Sequence, residues 1–186
     1  MRPRFHGFIS RKGFFSSYDI WSWFLIGKVL ALYCEYTDSE KAETALYRTM
    51  KGMYDLINQG QIKLFDWGKF RWFECMIPLQ FLYEKYPEAW ILKLAEELKK
   101  QGADYKEFCE LWKKPLNEWK FETHVVNLVM MLKADAVYNK LSGKEEEERA
   151  EQFWQILEKY NGTAVAVFTG DECLSGIGNN RGTELC

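Results

Sequence analysis

The sequence predicts an all-α chain assembled from repeated αα-hairpins, and three observations predict it. Similar turn segments recur at residues 33–40, 83–88 and 138–145, spaced by 50 and 55 residues, each closing one apolar helical segment and opening another. Between them apolar residues return at three- and four-residue steps, the mark of a helix with one buried face. No persuasive sheet pattern is present, and only residues 164–168 have the composition of a single short strand.

The elements follow in order. Residues 21–33 are the most apolar stretch, interrupted by Lys28 and flanked by Asp19 and Glu35. This is well short of the roughly 20 apolar residues of a membrane span, so a buried helix is expected. From Ala42 the positions Ala42, Ala45, Leu46, Met50, Met53 and Ile57 form one helical stripe. After Pro87, suited to a first helical position, Trp90, Ile91, Leu94, Ala95 and Leu98 continue the same pattern until Gly102 stops it. Asp104 with Glu107 predicts a capping box for a short helix. Residues 125–138 predict a largely buried helix and residues 151–160 an amphipathic one, behind a charge run at 144–149 expected to be a solvated helix face. Residues 169–182, rich in Gly and Asn, predict a loop leading to the first turn of another helix at 183–186. Four residues do not sustain a helix. The expectation is therefore a single incomplete domain over residues 1–186.

Composition bounds the function. With 47% apolar and 17% aromatic residues among 186, the chain can bury a sizeable core. Charged residues make up 28% and nearly cancel to −2, so no net field draws the chain to nucleic acid or to an anionic membrane, and neither is expected as a partner. Arg2 and Arg4 are followed by no apolar region or small-residue cleavage site, so no secretory leader is read. Five widely spaced cysteines, Cys34, Cys75, Cys109, Cys173 and Cys186, make no disulfide framework and suit a reducing, cytoplasmic setting. The acceptor pattern at Asn161 is discounted on the same grounds.

Repeated hairpins close into a toroid or stack into an open solenoid, and the period alone leaves both open. The first helix of each hairpin begins with polar and aromatic residues: Tyr18, Asp19 and Trp21; Trp67, Arg71, Trp72 and Glu74; Glu122, His124 and Asn127; Glu184 and Cys186. A toroid gathers these around one rim. Sugar rings present apolar faces edged by hydroxyls, so aromatic and ionisable groups converging on a cavity suit a sugar site.

Four segments carry a resemblance: WGKFRWFE at 67–74, THVVN at 123–127 followed by MLK at 131–133, GDECLSG at 170–176 and RGTELC at 181–186. They resemble glycoside hydrolase family 127, the similarity running from about Phe5 to the last residue and being most specific in the final 17. The resemblance implies an (α/α)6 toroid, of which about three and a half hairpins are present. It implies β-L-arabinofuranosidase activity on arabinose-containing oligosaccharides by a retaining mechanism, with a zinc-bound cysteine thiolate as nucleophile and a glutamate as acid/base. Carried over by position, Glu184 and Cys186 are the zinc ligands, Glu172 is the acid/base and His124 faces the sugar. Trp21 and Trp72 are the indoles expected to line the cavity. Two departures stand out. The family's later cysteines, the nucleophile among them, have no counterpart here, and no histidine occurs near Trp21 and Trp23. The chain is therefore expected to be an incomplete catalytic toroid, inactive alone, that self-associates through an uncovered apolar face.

Each residue also has a plainer reading. His124 on an apolar helix suits a hydrogen-bonded core residue, and Glu172 in a Gly-rich loop a turn cap. Arg71 and Glu74, three apart, suit a surface pair worth a few tenths of a kcal/mol. Trp21, Trp23, Trp67 and Trp72 suit core positions, as do Cys34, Cys75 and Cys109 in apolar stripes. Two other functions fit the same pattern: a non-catalytic helical repeat that binds sugar or protein through its aromatic rim, and another toroidal carbohydrate enzyme such as a polysaccharide lyase.

Overall fold

The computed structural model describes residues 20–115, 118, 123–145, 149–162, 169–171, 173–174 and 184–185. These residues are mainly helical, and the chain divides into two compact units, Met1–Gly102 and Ala103–Cys186.

The first unit contains α1 (Trp21–Thr37), α2 (Glu40–Asn58), α3 (Asp66–Phe70), a 3-10 turn (Trp72–Cys75), α4 (Met76–Lys85) and α5 (Ala89–Gln101). Asp38 ends α1 in the left-handed region at φ 48°, a conformation that a short carboxylate side chain tolerates, and its N–H bonds to the Cys34 carbonyl. Ser39 then caps α2, its hydroxyl accepting from the Ala42 N–H at 3.4 Å. This two-residue connection reverses the chain, and α1 packs along α2. The pair α4 and α5 packs likewise, and α1 also touches α4 while α2 touches α5. Gly27 permits the approach, since a Cβ there would fall 2.5 Å from Met50 Cε and 3.2 Å from Pro78 Cγ. Phe24, Leu46, Met50, Met53, Phe73, Met76, Leu79, Leu82, Ile91 and Leu94 fill the interior.

Two expectations for this unit change. The α1 helix forms, but Leu25, Ile26, Val29, Leu32, Tyr33 and Tyr36 are exposed. A helix apolar all round carries no phase, so its sequence does not say which face is covered. Helix α5 starts at Ala89 rather than at Pro87, with Glu88 in the extended cap position.

The second unit contains α6 (Lys106–Trp112), α7 (Val125–Met130), a 3-10 turn (Met131–Lys133), α8 (Ala134–Ser142) and α9 (Ala150–Asn161). Helix α6 packs on α9, which also touches the 3-10 turn. Instead of the expected capping box, Asp104 Oδ1 accepts the Lys106 N–H at 3.0 Å from just ahead of α6. The expected helix over 125–138 is broken by the 3-10 turn and runs on to Ser142, where Gly143 closes it at φ 65°.

In the tail the described residues are extended: Thr169–Asp171 and Cys173–Leu174 fall where a loop was expected and Glu184–Leu185 where a helix start was expected. Strands β1 (Thr169–Asp171), β2 (Cys173–Leu174) and β3 (Glu184–Leu185) pair antiparallel in the order β2-β1-β3. A four-residue helix has no nucleus, whereas pairing sets Glu184 opposite Gly170 and Leu185 opposite Thr169 and gives the backbone groups partners. The candidate strand at 164–168 lies outside the described residues. Among the described residues, no helix is long and apolar enough to cross a membrane.

Candidate functional site

Trp21 opens α1, Trp67 lies in α3, and Arg71 follows α3 at the break before the 3-10 turn, where the backbone leaves the helical region at φ −123° and ψ 24°. Four positions after Trp67, Arg71 donates its N–H to the Trp67 carbonyl at 3.0 Å, which sets its side chain on the same side of the turn. The guanidinium carbon lies 4.5 Å from the Trp67 ring centroid and 4.5 Å from that of Trp21. A cation is thus held between two indoles, both attracted through their ring faces. Trp67 is 37% exposed. Trp21 and Arg71 are half-buried, so the part of the stack that reaches solvent combines indole surface with a guanidinium, residue types that suit a sugar ring.

Beside the stack, Glu74 is fully buried in the 3-10 turn and ion-pairs with Lys28 of α1. A buried carboxylate needs such a partner, and this one ties α1 to the turn. With no solvent exposure, Glu74 serves as a structural anchor. Trp72, expected to line a sugar cavity, is 4% exposed and backs onto Gly102, where a Cβ would fall 2.1 Å from its Cδ1. One residue after Arg71, the tight turn carries this indole inward. Trp67, which the sequence places both in the rim group and among the core candidates, is the more exposed indole of the two. Its signal was its position four residues before an arginine.

In the second unit His124 caps α7: its Nδ1 accepts the Val126 N–H at 3.1 Å, which places the proton of the neutral ring on Nε2. Thr123 Oγ1 accepts from Asn127 Nδ2 at 2.6 Å, and Asn127 is buried. The strand register sets Glu184 opposite Gly170 and Cys173 opposite Asp171, so β3 lies beside the strand that leads to Glu172. Glu172 itself and Cys186 lie outside the described residues. Among the described residues no group of three or more His, Cys, Asp or Glu is placed to hold a metal ion. Glu184 and Cys186 are two donors where zinc takes three or four from protein, so this pair by itself is short of a site.

Sequence reasoning missed one charged cluster. Arg149, assigned to a solvated run, grips Asp135 through Nε and Nη2 at 3.0 Å each, and its backbone N–H adds a third bond at 3.1 Å. Asp135 is buried, and Asp104 takes Nη1 at 3.3 Å. The clamp fixes the start of α9. The thiols behave as expected of core residues. Burial pushes Cys34 and Cys75 above their ordinary value and pushes Cys109 up to about 12. A nucleophilic cysteine is activated by the opposite shift, and burial supplies no such activation to these three.

The fold and these residues define a mainly helical protein with a partly exposed indole–guanidinium stack. No family model matches the chain, and neither a curated protein nor a solved structure matches it.

Proposed function

We propose that the chain is the sugar-binding part of an (α/α)6 toroid of the glycoside hydrolase family 127 kind, with arabinofuranose-containing oligosaccharides as its ligand class. The observation that carries this reading is the Trp21–Arg71–Trp67 stack, which pairs ring faces with guanidinium donors. The packing of α1 on α4 and of α2 on α5 supports the repeat, because successive hairpins of a toroid lay first helix on first and second on second. The assignments of Glu172 as acid/base, of His124 as a sugar contact and of Glu184 and Cys186 as zinc donors rest on the sequence resemblance.

The test is a titration of the full chain with arabinofuranosyl oligosaccharides, followed by tryptophan fluorescence and by calorimetry. Trp67→Ala is expected to weaken binding about tenfold, the equivalent of an aromatic contact of about 1.4 kcal/mol. Trp72→Phe is expected to lower stability while leaving affinity unchanged. Binding that Trp67→Ala leaves intact, or no binding of any arabinofuranoside, overturns the proposal.

A further inference from the structure

We propose that α1 is the interface of a homodimer, in which a second copy of this chain lays its own α1 antiparallel along the exposed apolar face of the first. Six large side chains on that face are open: Leu25 (42%), Ile26 (51%), Val29 (66%), Leu32 (55%), Tyr33 (52%) and Tyr36 (83%). Their spacing is that of a helix-pairing seam. Ser22, Leu25, Val29, Leu32 and Tyr36 follow alternating steps of three and four residues, with Ile26 and Tyr33 alongside. No charge falls on the seam, and Lys28 beside it is already engaged by Glu74. Exposed Glu35 lies on the flank with Lys28, outside the seam, so the seam itself carries no charge that repels its own copy.

A two-fold antiparallel arrangement is self-complementary here. It sets Leu25 against Tyr36 and Val29 against Leu32, and the symmetry repeats each contact, so the layers at the centre of the seam join large apolar or aromatic side chains. Large side chains bury about 150–250 Å² each, so these exposures amount to on the order of 650 Å² per copy. That exceeds the few hundred Å² a soluble monomer ordinarily leaves open. Two copies together bury up to about 1,300 Å², at the lower end of the roughly 1,200–2,000 Å² of specific interfaces. The seam and the indole–guanidinium stack use different residues, so association and sugar binding are read by separate measurements.

The experiment is sedimentation and light scattering on the full chain at tens of micromolar. A mass of twice the chain is expected. Val29→Lys and, separately, Leu32→Glu are expected to give monomers with unchanged helical circular dichroism, since both positions are exposed. The orientation is read by mixing Val29→Cys with Leu32→Cys, which is expected to yield a disulfide-linked dimer faster than either variant alone or the parent chain. Three results overturn the proposal: a monomeric parent chain, a dimer that survives both charged substitutions, and a monomer that dimerises only when residues 1–19 are removed. The second assigns association to another face, and the third makes those residues the occupant.

Discussion

Gly102 follows α5 with an ordinary extended backbone, φ −69° and ψ 164°, so a neighbour rather than a dihedral angle requires glycine there. That neighbour is the Trp72 indole, whose Cδ1, Cγ and Nε1 would lie 2.1, 2.4 and 2.7 Å from an added Cβ. A rigid ring in the core has nowhere to move. Gly102→Ala is expected to cost about 1–3 kcal/mol, the usual range for overpacking, measured as a shift in denaturation midpoint. Thiol chemistry gives a second check at this scale. Cys34, Cys75 and Cys109 are buried and their thiols are held protonated, so alkylation of the native chain is expected to spare three of five thiols until denaturant is added. Labelling of four or five under native conditions contradicts that placement. The burial of these cysteines was legible in the apolar stripes they occupy. Which indole faces outward was not, because the non-helical backbone of Arg71, at φ −123° and ψ 24°, breaks the helical phase between Trp67 and Trp72 without changing the pattern of residue types.

Helices differ in how plainly they announce themselves. In α2 and α5 polar residues alternate with a single apolar stripe: Leu46, Met50, Met53 and Ile57 are buried as the period requires, while Ala42 is half-buried and Ala45 exposed at the start of α2, and all five stripe positions of α5 are buried. The tail strands of two and three residues are too short to show a period of two, and only pairing partners distant in sequence define them. The link between elements that lends itself to measurement is Glu43 of α2. The Lys85 ammonium and the Tyr86 hydroxyl both donate to it and hold its carboxyl below the ordinary value of 4.5. In the unfolded chain the carboxyl returns to that ordinary value. The contact therefore stabilises fully above 4.5 and is lost as pH falls through the lowered folded-state value. Melting temperatures of the parent chain and Glu43→Gln are expected to differ by a constant amount above about pH 6 and to converge in acid. The effect is expected to be small, as Lys85 is 40% exposed and solvent screens the pair. A difference that widens in acid reverses the sign and removes the ion pair as its cause.

At the scale of the whole molecule, a helical chain was legible from the recurrence of turn segments, whereas its division into two compact units left no mark in composition. The activity of the chain by itself is the expectation most open to test. Retaining hydrolysis needs a nucleophile and an acid/base on opposite sides of the bond, about 5 Å apart for paired carboxylates. The proposed acid/base is Glu172, and the proposed nucleophile chemistry is a thiolate. Of the five thiols in these 186 residues, Cys34, Cys75 and Cys109 are buried with raised pKa values, Cys186 is proposed as a ligand rather than as the attacking group, and the resemblance gives Cys173 no role. The 186-residue chain is therefore expected to bind an arabinofuranosyl ligand without turning over a β-L-arabinofuranosyl aryl glycoside, even with zinc and reductant present. Fluorescence titration reads the binding and release of the aryl group reads the chemistry, so the two results are separable. Turnover that vanishes in Glu172→Gln would mean that the residues present suffice and that one of the two thiols outside the helical core is the nucleophile. Alkylation would then abolish activity at the same rate as it labels that thiol. With no turnover in the parent chain, loss of binding in Trp67→Ala leaves recognition assigned to the stack, because removing one indole face cannot affect a reaction that does not occur.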